Sequence, residues 1–111
     1  MPADPGLVDL MRDDIGARPG LREKRMFGGL CFMLDGHMFC GVHKDGAMYR
    51  VGKPREAQAM ALPGARPMAF TGRPMKGFVE VASEDMGDDA ARAEWLRLAL
   101  ENVASLPPKS A

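Results

Sequence analysis

The chain is poor in the residues that usually announce a chemistry. It carries only two cysteines and two histidines in 111 residues, and neither pair forms a CxxC or HxxxH knuckle. Aromatics are scarce, with one Trp, one Tyr and five Phe. There is no charge excess, because 15 Lys and Arg balance 15 Asp and Glu. That balance argues against a dedicated nucleic-acid binder, which carries a basic surplus. No apolar run approaches the ~18 residues of a membrane span. The opening Met1-Pro2-Ala3-Asp4-Pro5 has neither the basic nor the apolar region of a secretory leader. A cytoplasmic protein without membrane contact is expected. What is present is a 46% hydrophobic, 27% charged composition typical of one folded domain. Residues 1–111 are expected to form a single domain with its core over about 5–106.

Charge is unevenly distributed. Residues 1–49 are close to neutral, residues 50–76 carry a net of +5 and residues 77–111 a net of −4. Either the acidic C-terminal segment docks near the basic middle, or Arg50, Arg66, Arg73 and Lys76 form an anion or partner contact.

Periodicity supplies the elements. Asp4 can cap a helix that has Pro5 at its first position and a stripe of Leu7, Val8, Met11 and Ile15, ending near Gly16. Strands are predicted over 22–27, 30–34, 37–43 and 47–51, joined through Gly28-Gly29, Asp35-Gly36 and Asp45-Gly46. Residues 54–61 read as a short helix with Ala57, Met60 and Ala61 inward. Residues 66–70 read as an edge strand because of Pro67. Residues 71–77 read as a loop and 78–82 as a last strand. Asp88-Asp89 opens a final helix through Trp95, Leu98, Ala99, Asn102 and Val103 to Pro107-Pro108. The order α-β-β-β-β-α-β-β-α predicts an α+β fold, a two-layer sandwich with helices on one face of an antiparallel sheet.

The hairpins predict a register. With Asp35-Gly36 as the only loop residues, Phe32 opposes Phe39 and Cys31 opposes Cys40. With Asp45-Gly46 as the second loop, Val42 opposes Tyr49. Alternation then places Cys31, Met33, Met38, Cys40, Val42, Tyr49 and Val51 toward the helices. The other face receives Leu30, Phe32, Leu34, His37, Phe39, Gly41, His43, Met48 and Arg50. Three large apolar residues on an open face need a cover, either the 66–76 segment or a second chain. The expectation is a homodimer in which Phe32, Leu34 and Phe39 form the interface.

The same register bears on catalysis and metals. Opposed Cys31 and Cys40 would lie within disulfide range and form a possible redox pair, although reduced core thiols are the default in a cytoplasm. The two Cys and two His would point to opposite faces, so they cannot converge on one zinc ion. Ser83, Ser105 and Ser110 lie far from either His. Gly46 to Lys53 is one residue too long for a phosphate loop, and Pro54 stands where Ser or Thr would hold magnesium. Asp13-Asp14 and Asp88-Asp89 sit at helix ends, where capping explains them. No enzyme activity, metal or cofactor is expected.

The run Arg25-Met26-Phe27-Gly28-Gly29, then Asp35-Gly36 and Met38-Phe39, resembles the opening of the TfoX (Sxy) N-terminal domain family. Met48-Tyr49-Arg50-Val51, Gly64-Ala65-Arg66-Pro67-Met68, Met75-Lys76-Gly77-Phe78 and a helix bearing Trp95 continue the likeness over roughly residues 5–104. The resemblance implies a two-layer α/β sandwich. It also implies a non-enzymatic protein-interaction or accessory regulatory role, since the best-known members regulate natural competence alongside the cyclic-AMP receptor protein. A transcription regulator is the partner so implied. Those members carry a second, C-terminal domain, and this chain reads as the first domain standing alone. The family brings no catalytic residues. The competing class is a small-molecule or anion binder, or an enzyme, built on the basic 50–76 segment.

Overall fold

The computed structural model describes residues 4–26, 28–70 and 73–107; the side chains of Met26, Ala69, Phe70, Arg73 and Pro74 are outside that description. The sequence readings at Phe27, Thr71, Gly72 and Pro108, and of the Arg73 side chain, therefore lie outside the described residues.

Helix α1 (Pro5–Ile15) begins where Asp4 accepts the Gly6 amide at 2.8 Å, and it buries Leu7, Val8, Met11 and Ile15. Six strands follow: β1 (Leu21–Met26), β2 (Gly29–Leu34), β3 (His37–His43), β4 (Gly46–Arg50), β5 (Ala65–Phe70) and β6 (Arg73–Ala82). Between β4 and β5 lie a 3-10 turn at Lys53–Arg55 and the short helix α2 (Glu56–Met60). Helix α3 (Asp89–Ala104) closes the chain, with Asp88 accepting the Ala91 amide at 3.0 Å. The six strands form one antiparallel sheet in the order β1-β2-β3-β4-β6-β5. The observed element order is the α-β-β-β-β-α-β-β-α expected from the sequence, an α+β fold. Among the described residues no helix is long and apolar enough to cross a membrane.

All three helices cover one face of the sheet. Trp95 of α3 is fully buried there, stacked on Tyr49 of β4 with ring centroids 5.9 Å apart. Its Nε1 donates to the Ala59 carbonyl of α2 at 3.1 Å, so one side chain joins two helices and the sheet. The charged tie between the acidic C-terminal helix and the basic middle is the Arg55–Glu101 pair at 3.5 Å.

The register departs from the sequence reading in both hairpins. The Asp35-Gly36 turn forms as expected, with φ of 52° and 87°. Two residues further along, the ladder slips. Met33 opposes Met38, but Phe32 opposes Cys40 and Cys31 opposes Gly41. Phe39 is the extra residue of a β-bulge, which lets Phe39 and Cys40 both point to the helices. The slip of one residue exchanges the faces of β2. Phe32 and Phe39 are therefore fully buried in the helix-side core, and half-buried Leu34 packs against it. The interface expected from these three residues is corrected accordingly: their cover is the protein's own helices.

The second hairpin turns at Lys44-Asp45, with His43 opposite Gly46 and Cys40 opposite Tyr49. Gly46 is needed for a different reason from the one expected. A Cβ there would lie 2.1 Å from the Val81 carbonyl oxygen of the neighbouring strand. The register moves by two residues, which preserves the faces, so Val42, Tyr49 and Val51 meet the helices as expected.

Two smaller differences concern the middle of the chain. Of the inward set expected in α2, Ala57 and Ala61 are exposed, Met60 is half-buried and Ala59 is the buried one. The 3-10 turn ahead of the helix advances each residue by a larger angle than an α-helix, which rotates the stripe. Residues 73–77, expected as loop, extend β6 beyond the β4 ladder: Arg73 and Pro74 pair with β5, and the Gly77 carbonyl accepts the Val51 and Gly52 amides. Edge strand β5 carries Pro67, as expected.

Candidate interaction surface

The helices leave the other side of the sheet open, and the bulge determines what lies on it. Cys31, Met48 and Met68 form a second apolar cluster there, with Met38, Met75 and Phe78 packed against it. Five of these six residues carry sulfur. Alternation places Cys31, Met48 and Phe78 there, given Phe32, Tyr49 and Val79 on the helix side; Met38 and Met75 lie beyond breaks in alternation, at the Phe39 bulge and at Gly77 with its φ of 86°. Gly41 makes the cluster continuous. It stands between Cys31 and Met48 in the ladder, and a Cβ there would sit 2.9 Å from the Met48 Cε and 2.9 Å from the Leu30 carbonyl oxygen. Without a side chain at Gly41, the Met48 thioether crosses the strand toward Cys31.

Cations border this strip. Arg22 and Lys24 of β1, both exposed, pair with Met33 and Cys31 and so share the open face. Arg50 lies over the Phe78 ring, 5.9 Å from its centroid, and donates to the Met38 carbonyl at 3.5 Å. At the far side Arg66 donates through Nε to Glu80 at 2.8 Å. The other Glu80 oxygen is 3.0 Å from His43 Nε2. His43 Nδ1 accepts the Asp45 amide at 3.1 Å, and the buried Nε2 makes no hydrogen bond to Glu80 at its 3.0 Å separation. Lys76 is exposed beside Met75 on β6.

The proposed anion contacts are thus split. Arg50 and Arg66 share a face, but Arg66 is matched by Glu80 and Arg50 is engaged with a ring and a carbonyl. They form no common cradle. The cysteine pair is corrected too. Cys31 belongs to the open-face cluster and Cys40 to the helix-side core, so their side chains lie on opposite faces of the sheet and no disulfide joins them. Burial pushes both thiols above their usual range, Cys40 further, with Cys31 and Asp14 adding to the shift. His37 points to the other end of the molecule, with Nε2 2.6 Å from the Pro107 carbonyl oxygen. Among the described residues no three His, Cys, Asp or Glu side chains gather as a metal site.

The sequence reading expected apolar residues on this face but named Phe32, Leu34 and Phe39, and so missed the sulfur-bearing set apart from Met48. Its signal was the chain's ten methionines, four of which meet here. It missed Arg92 altogether, a buried cation in α3 whose Nε meets Asp14 of α1 at 2.7 Å.

Comparison with known families agrees with this architecture. The profile of the TfoX N-terminal domain matches residues 14–103, most of the chain. The chain belongs to the TfoX N-terminal domain family. No curated protein and no solved structure gives a further match. Within this family member, Arg25-Met26 end β1, Gly29 opens β2, Asp35-Gly36 make the β2–β3 turn and Met38-Phe39 meet the bulge. On these residues the family's pattern coincides with sheet geometry.

Proposed function

We propose that this TfoX N-terminal domain is a non-enzymatic protein-interaction module, an accessory regulator of the kind the family's competence regulators exemplify. The observation that carries the reading is the sheet face away from the helices, where half-buried Met38, Met75 and Phe78 lie over buried Cys31, Met48 and Met68, with Arg22, Lys24 and Arg50 around them. Methionine suits contact with a protein surface, because its unbranched thioether side chain repacks at little cost. The partly exposed residues of this face offer neither an activated nucleophile nor a positioned base. Its cations lie outside the apolar centre, where a partner's acids would meet them.

The test is affinity purification of the tagged chain from its own cells with quantitative mass spectrometry, paired with transcript profiling of a deletion strain. A defined co-purifying protein and a coherent set of changed transcripts are expected. Unchanged transcripts with no enriched protein would refute the reading.

A further inference from the structure

We propose that the outer edge of β1 seats an acidic extended segment of a partner protein, added to the sheet antiparallel to β1. This rests on reading the domain as an interaction module, and it names where the partner is held and the chemistry of its segment.

Three features single out this edge. The first is its supply of backbone groups. The sheet ends at β1 on one side and at β5 on the other. Strand β1 pairs with β2 without a shift, from Leu21 opposite Leu34 to Met26 opposite Gly29. The Asp35 amide donates to the Gly20 carbonyl at 3.3 Å, which continues this ladder by one bonded pair. Bonded and non-bonded pairs alternate in an antiparallel ladder, so Arg22, Lys24 and Met26 direct their peptide groups to β2. Leu21, Glu23 and Arg25 direct theirs away from the sheet. The Arg18 carbonyl takes the Leu21 amide at 3.2 Å. The Leu21 carbonyl and both peptide groups of Glu23 and Arg25 are left for an added strand. Residues 22–25 are all exposed. Edge strand β5 is different: Pro67 has no N–H, and its ladder slips between Pro67 and Ala69. Both features blunt an edge against strand addition.

The second is charge. Arg22 and Lys24 lie on the open face, and Arg25, opposite Leu30, lies on the helix side. Among the described residues no acid pairs with any of the three. Glu23 between them is engaged by Arg12, through Nε at 2.8 Å and Nη2 at 2.7 Å. Opposite charges facing each other across two strands attract. An antiparallel segment therefore meets Arg25, Lys24, Glu23 and Arg22 with the order acid, acid, any residue, acid. Residues 21–25 span about 14 Å at strand rise, the length of about five residues.

The third is what the edge disfavours. It offers carbonyls as well as amides, and a nucleic acid would set phosphate oxygens against those carbonyls. A peptide strand brings a donor and an acceptor at each bonded position. A second copy of β1 is also a poor occupant. The register that sets Glu23 against Arg25 sets Lys24 against Lys24, and Glu23 is already engaged by Arg12.

The test begins with site-specific photo-cross-linking in the native cell. A benzoylphenylalanine replaces Arg22 at the edge, Met38 on the open face or Arg97 on α3, and the captured segment is sequenced by mass spectrometry. Circular dichroism first confirms that each variant is folded. The expected result is capture from the Arg22 position of a segment with the acid, acid, any residue, acid order. That segment, made as a peptide and added to the unaltered domain, should slow hydrogen exchange of the Glu23 and Arg25 amides about tenfold or more and leave those of Arg22 and Lys24 unchanged. Arg25→Pro removes the charge and the outward N–H while sparing the β2 ladder. It should weaken peptide binding about fivefold more than Arg25→Gln, which removes the charge alone. Unchanged exchange at Glu23 and Arg25 overturns the inference, and so does equal weakening by the two substitutions. Capture from the Arg22 position of nucleic acid, of a second copy of the chain, or of a segment without those acids also overturns it. Capture of protein from Met38 or Arg97 alone overturns it and leaves the interaction reading standing. No capture of protein from any of the three overturns both.

Discussion

Arg92 of α3 holds Asp14 at the end of α1 through its Nε at 2.7 Å, and with Nη1 it donates to the Met86 carbonyl at 2.9 Å. Its side chain is 8% exposed and that of Asp14 is 22% exposed. The pair joins the first helix to the last. Hydrogen bonding to Asp14 holds the guanidinium proton more tightly than usual.

Removing Asp14 leaves Arg92 with exposed Asp89, 2.8 Å from Nη1, as its remaining acid. Asp14→Asn should cost about 1–3 kcal/mol in urea denaturation, because the guanidinium loses its better-buried charged hydrogen-bond partner. The residual exposure of Asp14 keeps the cost from the top of the range. Combining it with Arg92→Met should recover part of the loss. A double variant less stable than Asp14→Asn would show that Arg92 acts mainly through the Met86 carbonyl.

Gly41→Ala should destabilise the domain by about 1–3 kcal/mol by overpacking. The new Cβ would meet the Leu30 carbonyl, which the ladder holds in place, and the Met48 methyl, which can move. A thermal melt measures the cost. The Met48 methyl resonance should shift while those of the helix-side core stay. An unchanged melting temperature would mean that the close approach at Gly41 is not there.

Phe39→Asp should abolish folding outright. It places a carboxylate in a fully buried site, and an unpaired charge there costs far more than a marginal domain can absorb. Loss of the native far-ultraviolet dichroism is the readout. A folded Phe39→Asp chain that merely changes its oligomeric state would restore Phe39 to the open face.

Alkaline pH should weaken the fold. Burial pushes Cys31, Cys40 and Tyr49 above their ordinary values of 9.0 and 10.0. The unfolded chain therefore releases these protons first. The stabilisation is fully present below about pH 9 and is lost as the pH rises through the folded values, by up to about 1.4 kcal/mol per unit for each group. Denaturation midpoints between pH 7 and 11 should fall beyond pH 9, and Cys40→Ala should flatten the slope. A slope untouched by that substitution would place the titration elsewhere.

Much of the fold was legible because local rules agree with the tertiary result. The Asp4 and Asp88 caps, the Asp35-Gly36 turn and the stripe of α1 each act within a few residues. The open face was less legible because it depends on one extra residue. Nothing around Phe39 marks it as a bulge; neighbouring Cys40 and Phe39 are both apolar, and a strand without a bulge would accept either on the core side. Gly46 misled for a related reason. Glycine serves a turn or a close approach equally well, and only the position of β6 decides between them. Arg92 was hidden because its partner lies 78 residues away.

That same separation has a consequence for synthesis. While the chain emerges from a ribosome, β1 to β4 can pair with near neighbours, since each joins the next through a short hairpin. Helix α1 can meet β1 early through Arg12 and Glu23. Its Asp14 waits for a residue made almost at the end, and the part of the sheet that α3 covers stays bare until then. The nascent chain thus carries a half-built meander for most of its translation. A ribosome stalled before Arg92 would display both sides of that meander to the cell, and would be bound by whatever recognises exposed apolar strands.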